Sequence, residues 1–139
     1  MHGPPEMLLP HTLRSAACRS DNEWGWPPEA IPLVIDEAEE LGLLNVGGQL
    51  QFLMPEGTCE CYWVDVDATA GEPGDLSWAE RVAFAAAAAR QRMADVGRRY
   101  DFLQEGRKAF GATFAAYEAA GGNVRDRMCF VWYLEARRP

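Results

Sequence analysis

Histidine and lysine are almost absent from this sequence of 139 residues, which contains only His2, His11 and Lys108. A histidine is the usual base in nucleophilic catalysis and a common ligand of catalytic zinc. Both histidines lie in residues 1–26, an N-terminal segment that we expect to be irregular because its pattern is weak. We therefore expect no catalytic residue, and an enzyme is less favoured than a binding protein.

Long apolar runs and export signals are also missing. No stretch of about 18 apolar residues occurs, which excludes a membrane-spanning helix of ordinary length. Glu6, Pro10 and His11 interrupt the region where a signal peptide needs a basic start and an unbroken apolar stretch. We expect one domain over residues 1–139, no membrane contact and a cytoplasmic location, since 48% of the residues are hydrophobic and can form a core.

Phosphate-binding and dinucleotide-binding motifs are missing as well. Gly47 and Gly48 are not followed by a Gly-Lys-Ser/Thr sequence, and a strand pattern follows them where a phosphate loop needs a helix. We expect Gly47 and Gly48 to form a turn, and because both motifs are absent we expect no cofactor.

Basic charge is scarce in one half of the chain only. Residues 1–66 contain eleven acidic and two basic residues, for a net charge of −9, whereas residues 67–139 have a net charge of +1. An acidic surface disfavours nucleic acid, because phosphate contacts need Lys and Arg. It favours encounter with a basic protein, although acidity that only keeps the chain soluble is the simpler interpretation. The excess of Arg over Lys, with abundant Ala, is typical of GC-rich bacterial genomes.

Four cysteines are present: Cys18, Cys59, Cys61 and Cys129. Without an export signal, we expect buried free thiols in preference to disulfides. Cys59 and Cys61 fall on one face of a predicted strand, about 6.6–7 Å apart along it. No second cysteine pair completes a zinc site, so we expect no metal.

The clearest structural signal is a β-hairpin over residues 49–66. Leu50, Phe52 and Met54 fall on one face of the predicted strand and Gln49 and Gln51 on the other, which is the period of a half-buried strand. Residues 55–58 (Pro-Glu-Gly-Thr) are typical of a turn, and the stretch after them is rich in β-branched and aromatic residues.

Helical signals flank this hairpin. The helices expected are residues 28–41, a helix that begins after Ser77, and residues 98–120, as one helix or as two with a restart near Arg107. Gly42 can end the first helix in a left-handed conformation. Ser77 and Glu80 form a capping-box sequence, and we expect Gly97 to break or bend the helix that follows.

The composition of residues 128–135 predicts a strand. Both of its faces are apolar, which is typical of a strand that is covered on both sides. We expect it to be central or to pair with the second hairpin strand. The predicted fold is α+β: a small, mainly antiparallel sheet (hairpin 49–66 plus C-terminal strand 128–135) packed by three or four helices.

A cluster of carboxylates on the first predicted helix is the leading candidate interface. The function it favours is a non-enzymatic protein-binding module of bacterial type, as an immunity or inhibitor protein that binds a basic partner through its acidic first half. The partner-binding residues expected are Asp36, Glu37, Glu39, Glu40, Glu60, Tyr62 and Trp63. The basic residues between positions 90 and 108 either lie against the acidic helix in the same molecule or meet it in a neighbouring subunit; they are Arg90, Arg92, Arg98, Arg99, Arg107 and Lys108.

Two alternatives remain open. Glu60, Asp65 and Asp67, at the end of the second hairpin strand, favour a small ligand-binding or metal-binding enzyme domain. A homodimer joined through sheet edges or through the alanine strip of residues 85–89 is the other. Aromatic residues also pair on the predicted strands (Tyr62 with Trp63, Trp132 with Tyr133), and one pair is expected to face outward unless helices cover both.

Overall fold

A computed structural model describes residues 3–138 of the chain, and His2 lies outside them. Five strands occur in this range: β1 Cys18–Ser20, β2 Glu23–Trp26, β3 Leu44–Met54, β4 Gly57–Asp67 and β5 Met128–Glu135. Five α-helices accompany them: α1 His11–Ala16, α2 Ile31–Glu40, α3 Trp78–Arg99, α4 Phe102–Ala109 and α5 Gly111–Ala119. In the same range, no helix is both long and apolar enough to cross a membrane.

The strands form one antiparallel sheet in the order β1-β2-β5-β3-β4. β5 lies between β2 and β3, so both of its edges are hydrogen-bonded. The α+β fold class and the antiparallel sheet predicted from the sequence are confirmed. Of the two places predicted for the C-terminal strand, the central one is correct.

The helices pack against one face of the sheet, where the core lies. Trp132 of β5 and Phe52 of β3 point to this face and are fully buried. The Trp132 indole N–H donates to the Asn45 side chain at 2.9 Å, and the Asn45 amide donates to the Ile35 carbonyl of α2 at 3.3 Å. Phe114 of α5 packs edge-on against Phe52, with ring centroids 4.9 Å apart.

The alanine strip of α3 is buried against other elements of the same chain. Ala85, Ala86 and Ala89 are at most 1% exposed, and α3 contacts α2, β3 and β4. Small side chains allow this close packing of a helix on a sheet. The strip is therefore not a surface through which two copies could join.

Three predictions concerned where helices begin, end or break, and two of them are confirmed. Ser77 and Glu80 form the predicted capping box, with the two hydrogen bonds at 3.1 and 2.9 Å. Gly42 follows α2 with a φ of 72°, as predicted. The break predicted at Gly97 is wrong, because α3 continues to Arg99 and a single glycine costs a helix only about 1 kcal/mol. The predicted helical region 98–120 contains two helices, α4 and α5, and the second begins at Gly111 and not near Arg107.

Gly47 and Gly48 do not form a turn but belong to β3, which begins at Leu44. A Cβ atom on Gly48 would lie 1.6 Å from the Val131 carbonyl oxygen, and one on Gly47 would lie 2.0 Å from the Val66 oxygen. Gly47 also has a φ of 128°, which disfavours residues with a side chain. These glycines let β3 lie between two close neighbours, a reason for glycine that the sequence does not distinguish from a turn.

The hairpin itself is confirmed with a shorter turn and longer strands. β3 and β4 are joined by Pro55 and Glu56, since Met54 already pairs with Gly57. The pairing is interrupted by residues 62–64, which bulge out of β4 between its pairs with β3.

The N-terminal segment is more regular than the sequence indicates. Within it, α1 is followed by a β1–β2 hairpin, which turns at Asp21 with a φ of 53°. Trp26 is fully buried and donates its indole N–H to the Leu13 carbonyl at 2.8 Å. Strands of three and four residues are too short to show a clear periodicity, and tertiary contacts of this kind stabilise them.

The cysteine expectation is wrong for one pair. Cys18 of β1 and Cys129 of β5 form a disulfide with Cα atoms 6.2 Å apart. The bond passes over β2 at Gly25, where a Cβ atom would lie 2.5 Å from the Cys129 sulfur. The two cysteines are 111 residues apart in sequence, so only the sheet order brings them together. Cys59 and Cys61 are free and buried, as expected.

Candidate functional site

Polar and acidic side chains occupy the face of the sheet opposite the helices, which we call the open face. Strand register places on it Glu23 of β2, Val131 and Tyr133 of β5, Gln49 and Gln51 of β3, and Glu60 and Asp65 of β4. Among residues 3–138, the hydrogen bonds of these side chains stay within the face and none reaches a helix. Burial of β5 on both faces, expected from its sequence, holds over residues 129–132, whereas Tyr133 is 38% exposed. Val131 and Cys129 are buried but do not belong to the core cluster on the helical side.

Hydrogen bonds join three strands across the open face. The Tyr133 hydroxyl of β5 donates to the Glu23 carboxylate of β2. The Gln51 amide of β3 donates to the other Glu23 oxygen at 3.2 Å, and the Gln49 amide donates to the Tyr133 oxygen at 3.3 Å. We call these four residues the open-face cluster.

The protonation of Tyr133 is shifted by its surroundings. Burial raises the pKa of this phenol above its ordinary value, and the hydrogen bond to Glu23 and the negative charge of Glu60 raise it further. The hydrogen bond from Gln49 lowers this pKa, but by less than burial or the Glu23 hydrogen bond raises it. Tyr133 therefore keeps its proton and remains a donor to Glu23 at neutral pH.

Gln51 is the polar residue of the open-face cluster that is most deeply buried. Its side chain is fully buried, and its Oε1 atom has no hydrogen-bond partner among the described residues. A buried acceptor without a partner is unusual in a folded protein and calls for an explanation. The cluster therefore has hydrogen-bonding capacity that the chain itself does not use.

The open face has an excess of negative charge. Glu23, Glu60 and Asp65 lie on it, and no basic side chain of residues 3–138 comes within ion-pair distance of these three carboxylates. Glu60 and Asp65 are exposed, and they make no side-chain hydrogen bond within that range. An uncompensated array of carboxylates favours a positively charged ligand or partner.

The acidic helix predicted as the main interface is partly neutralised. Arg90 of α3 lies 2.9 Å from the Asp36 carboxylate and 2.5 Å from that of Glu39. Arg90 thus lies against the acidic helix in the same molecule, one of the two arrangements predicted, whereas Arg92, Arg98 and Arg107 contact other groups. Glu37 and Glu40 have no ion pair in the described part of the chain, so half of the predicted acidic set retains uncompensated charge.

Tyr62 and Trp63 protrude from the β4 bulge at the edge of the sheet. Tyr62 is 72% exposed and Trp63 36% exposed, and their rings meet edge-on with centroids 5.5 Å apart. The Trp63 indole donates to the Glu105 carboxylate of α4 at 2.9 Å, which holds the pair in place. Exposed aromatics held in one conformation are typical of binding hot spots. Of the aromatic residues considered on β5, Tyr133 faces outward and Trp132 inward.

The carboxylates of the alternative enzyme site do not act together. Asp67 accepts hydrogen bonds from the Thr69 backbone N–H and hydroxyl, at 3.1 and 3.0 Å, and so caps the turn after β4. Glu60 and Asp65 are separated by the β4 bulge and pair with different residues of β3. Among residues 3–138, no three His, Cys, Asp or Glu side chains are grouped as metal ligands. This alternative gains no support from the geometry.

The free thiols of Cys59 and Cys61 have raised pKa values, which lower their reactivity. Burial raises the pKa of Cys61 to about 11, and the neighbouring Cys59 and Glu105 charges contribute to the shift. Burial also raises the pKa of Cys59. A thiol must ionise to act as a nucleophile or metal ligand, so this pair is not a reactive site.

A groove of about 340 Å³ lies on the helical side, between α2 and the end of α3. Its lining includes Pro28, Ile35, Met93 and Phe102, which are apolar, and Arg90, which already pairs with α2. A ligand site needs several polar groups aimed at one point. This groove offers fewer of them than the open face.

Comparison with known proteins gives no family for the chain: no protein-family model, curated protein or solved structure matches it.

Sequence reasoning placed the site only in part. Glu60, Tyr62 and Trp63 were predicted, and they lie on or beside the open face. Glu23 was not predicted, and Tyr133 was named only as an aromatic residue that could face outward, because the contact between them depends on the pairing of β2 with β5, which are about a hundred residues apart. The usable signal was the pair of polar residues Gln49 and Gln51 on one face of the first hairpin strand, opposite Leu50 and Phe52.

Proposed function

We propose that this protein is a non-enzymatic binding module, of the inhibitor or immunity type, that docks a basic partner protein on its open face. The observation that carries the proposal is the set of carboxylates on that face, Glu23, Glu60 and Asp65, which have no basic counterpart in the described part of the chain. Opposite charge on a partner would speed encounter and fix orientation.

The shape and composition of the surface support the same proposal. A sheet face without helix cover presents a broad, shallow surface, which suits a protein better than a small molecule. Tyr62 and Trp63 stand at its β4 edge and provide aromatic anchors beside the charged area. Charged residues for encounter and aromatic residues for burial are the usual combination at an interface.

The acidic helix is a weaker candidate for the same role. Arg90 already forms ion pairs with two of the four carboxylates of the acidic helix, so a basic partner would have to compete with these intramolecular contacts. Glu37 and Glu40 remain, and they make a matched comparison for the open face. The two surfaces can therefore be separated by experiment.

The test is affinity capture from the native host with three forms of the tagged protein. The first is wild type, the second is Glu60→Lys/Asp65→Lys on the open face, and the third is Glu37→Lys/Glu40→Lys on α2. Both double variants change the net charge equally, and none of the four side chains makes a hydrogen bond or ion pair within residues 3–138. Mass spectrometry identifies the captured chain, and light scattering gives the stoichiometry.

The proposal requires a basic protein that is retained stoichiometrically by wild type and by the α2 variant and is lost from the open-face variant. Loss from the α2 variant alone would move the interface to the acidic helix. A protein that carries no partner other than a second copy of itself would overturn the proposal in favour of the homodimer.

A further inference from the structure

We infer that the open-face cluster is a receptor for one arginine side chain of the basic partner. This inference rests on the proposed function and names the group that the partner contributes. It concerns Glu23, Gln49, Gln51 and Tyr133, with Glu60 beside them, because Glu60 pairs in register with Gln51.

The hydrogen-bonding inventory of the cluster is unbalanced. The Tyr133 hydroxyl and one N–H of each glutamine are already donated inside the cluster. What remains is mainly acceptor: the Gln51 Oε1, the unused lone pairs of the Glu23 carboxylate and the whole Glu60 carboxylate. A complementary ligand must therefore supply several donors and a positive charge.

Guanidinium meets this requirement better than the other groups that a protein carries. It has five N–H donors in one plane and can bind a carboxylate through two parallel hydrogen bonds. An ammonium has three donors around a point and holds its water more strongly. A neutral amide would leave the carboxylates without a counter-charge. The exposed part of the Tyr133 ring, on a residue 38% exposed, gives the guanidinium plane a surface to stack on.

The unpaired side-chain oxygen of Gln51 points to a ligand independently of the excess of acceptors. Its amide is fully buried, and the end that bonds to Glu23 lies in the cluster while Oε1 has no partner among the described residues. A donor that arrives at Glu23 can take the place of the Gln51 N–H. The flexible Gln51 side chain can then turn its oxygen toward the bound group, which removes the unsatisfied acceptor.

The experiment is an NMR titration of the intact, isotope-labelled protein with four probes. They are N-acetyl-arginine N-methylamide, the corresponding lysine and citrulline derivatives, and free L-arginine. Citrulline keeps the shape of arginine and removes its charge. We expect saturable shifts of the Gln49, Gln51 and Tyr133 amides with the blocked arginine, and affinity lower by about tenfold or more for citrulline, in which the paired charge is absent.

Variants of the same protein test the site. Glu23→Gln removes the central carboxylate and should weaken the blocked arginine by about tenfold or more. Because Glu23 also holds strands together, Glu60→Gln serves as a second variant with no hydrogen bond to lose, and it should weaken binding several-fold with the spectrum otherwise intact. Glu40→Gln on α2 is the control and should leave the titration unchanged.

Four results would overturn the inference. Equal shifts with citrulline would show that charge is not recognised, and shifts confined to α2 would place the cation elsewhere. Tighter binding of free L-arginine than of the blocked form would assign the site to the amino acid in place of a protein side chain. If the blocked arginine fails to bind while the captured partner is still lost from Glu60→Lys/Asp65→Lys, the arginine receptor is wrong and the binding module stands.

Discussion

The Tyr133 hydroxyl donates a hydrogen bond to the Glu23 carboxylate and so links the central strand β5 to β2. Backbone register pairs β2 with β5 at only two positions, Gly25 with Val131 and Trp26 with Phe130. The side-chain contact therefore extends a short pairing toward the β1–β2 turn. It also places a carboxylate at the middle of the open face, where the proposed partner would meet it.

The ionisation of Tyr133 should report on this contact. Its pKa is raised by burial first and by the Glu23 hydrogen bond second, so Glu23→Gln should lower the pKa toward the ordinary tyrosine value without restoring it fully. The measurement is an alkaline titration followed by tyrosinate absorbance. Tyr133→Phe identifies the transition, since the last tyrosine to titrate should disappear in that variant.

The same shift predicts how stability depends on pH. A phenol whose pKa is higher in the folded than in the unfolded chain favours folding below the unfolded pKa, and this contribution is lost as the pH rises through the folded pKa. Wild type should therefore lose stability relative to Tyr133→Phe when urea unfolding is repeated at increasingly alkaline pH. A constant difference between the two proteins over that range would contradict the assignment.

The disulfide predicts a specific thiol count. With Cys18 and Cys129 joined, the non-reduced protein should expose two thiols after unfolding, and the folded protein should react slowly at pH 8 because the pKa of Cys61 is about 11. Reaction with a thiol reagent before and after denaturation provides the measurement. Four reactive thiols in the unfolded, non-reduced chain would mean that the bond is absent.

Reduction of that bond should destabilise the fold strongly. The disulfide closes a loop of more than a hundred residues, and loops of this length correspond to about 4–5 kcal/mol in the chain-entropy account. Urea unfolding with and without reductant, or of Cys18→Ala/Cys129→Ala, measures the loss. Disulfides persist mainly in oxidising compartments, so the redox state of the protein recovered from its host bears on the expected cytoplasmic location.

Two glycines with opposite roles provide a matched test of the packing. Gly48→Ala puts a Cβ atom 1.6 Å from the Val131 oxygen in the centre of the sheet, and we expect a loss of about 3 kcal/mol or more, or failure to fold. Gly97→Ala meets nothing within 4 Å on α3 and should gain about 0.5–1 kcal/mol in helix stability. Urea unfolding compares them, and similar effects of the two substitutions would contradict the register of β3 with β5.

Local patterns predicted the elements that local physics determines. The capping box at Ser77, the end of α2 at Gly42 and the alternation in β3 need only neighbouring residues, and all three are present. The turn assigned to Gly47 and Gly48 was wrong because the need for glycine there comes from the strands on either side. No pattern within β3 identifies those neighbours.

The site depends still more on distant parts of the chain. Glu23 meets Tyr133 across 110 positions, and Cys18 meets Cys129 across 111, because the N-terminal hairpin pairs with the last strand. The pairing of Asp36 and Glu39 with Arg90 is equally a product of helix packing. Charge counts predicted an acidic half, but only the fold separates its compensated carboxylates from the uncompensated ones.

The most direct test of the central claim is the affinity of the purified captured partner for the two matched charge variants. The account predicts that Glu60→Lys/Asp65→Lys weakens binding by about 30-fold or more, as expected when an interfacial charge contact worth about 2 kcal/mol or more is lost. Glu37→Lys/Glu40→Lys, with the same net charge, should change the affinity by less than about threefold, as distant surface charges do. Equal weakening by both variants would show that only overall charge matters, and loss confined to the α2 variant would show that the open face is not the interface.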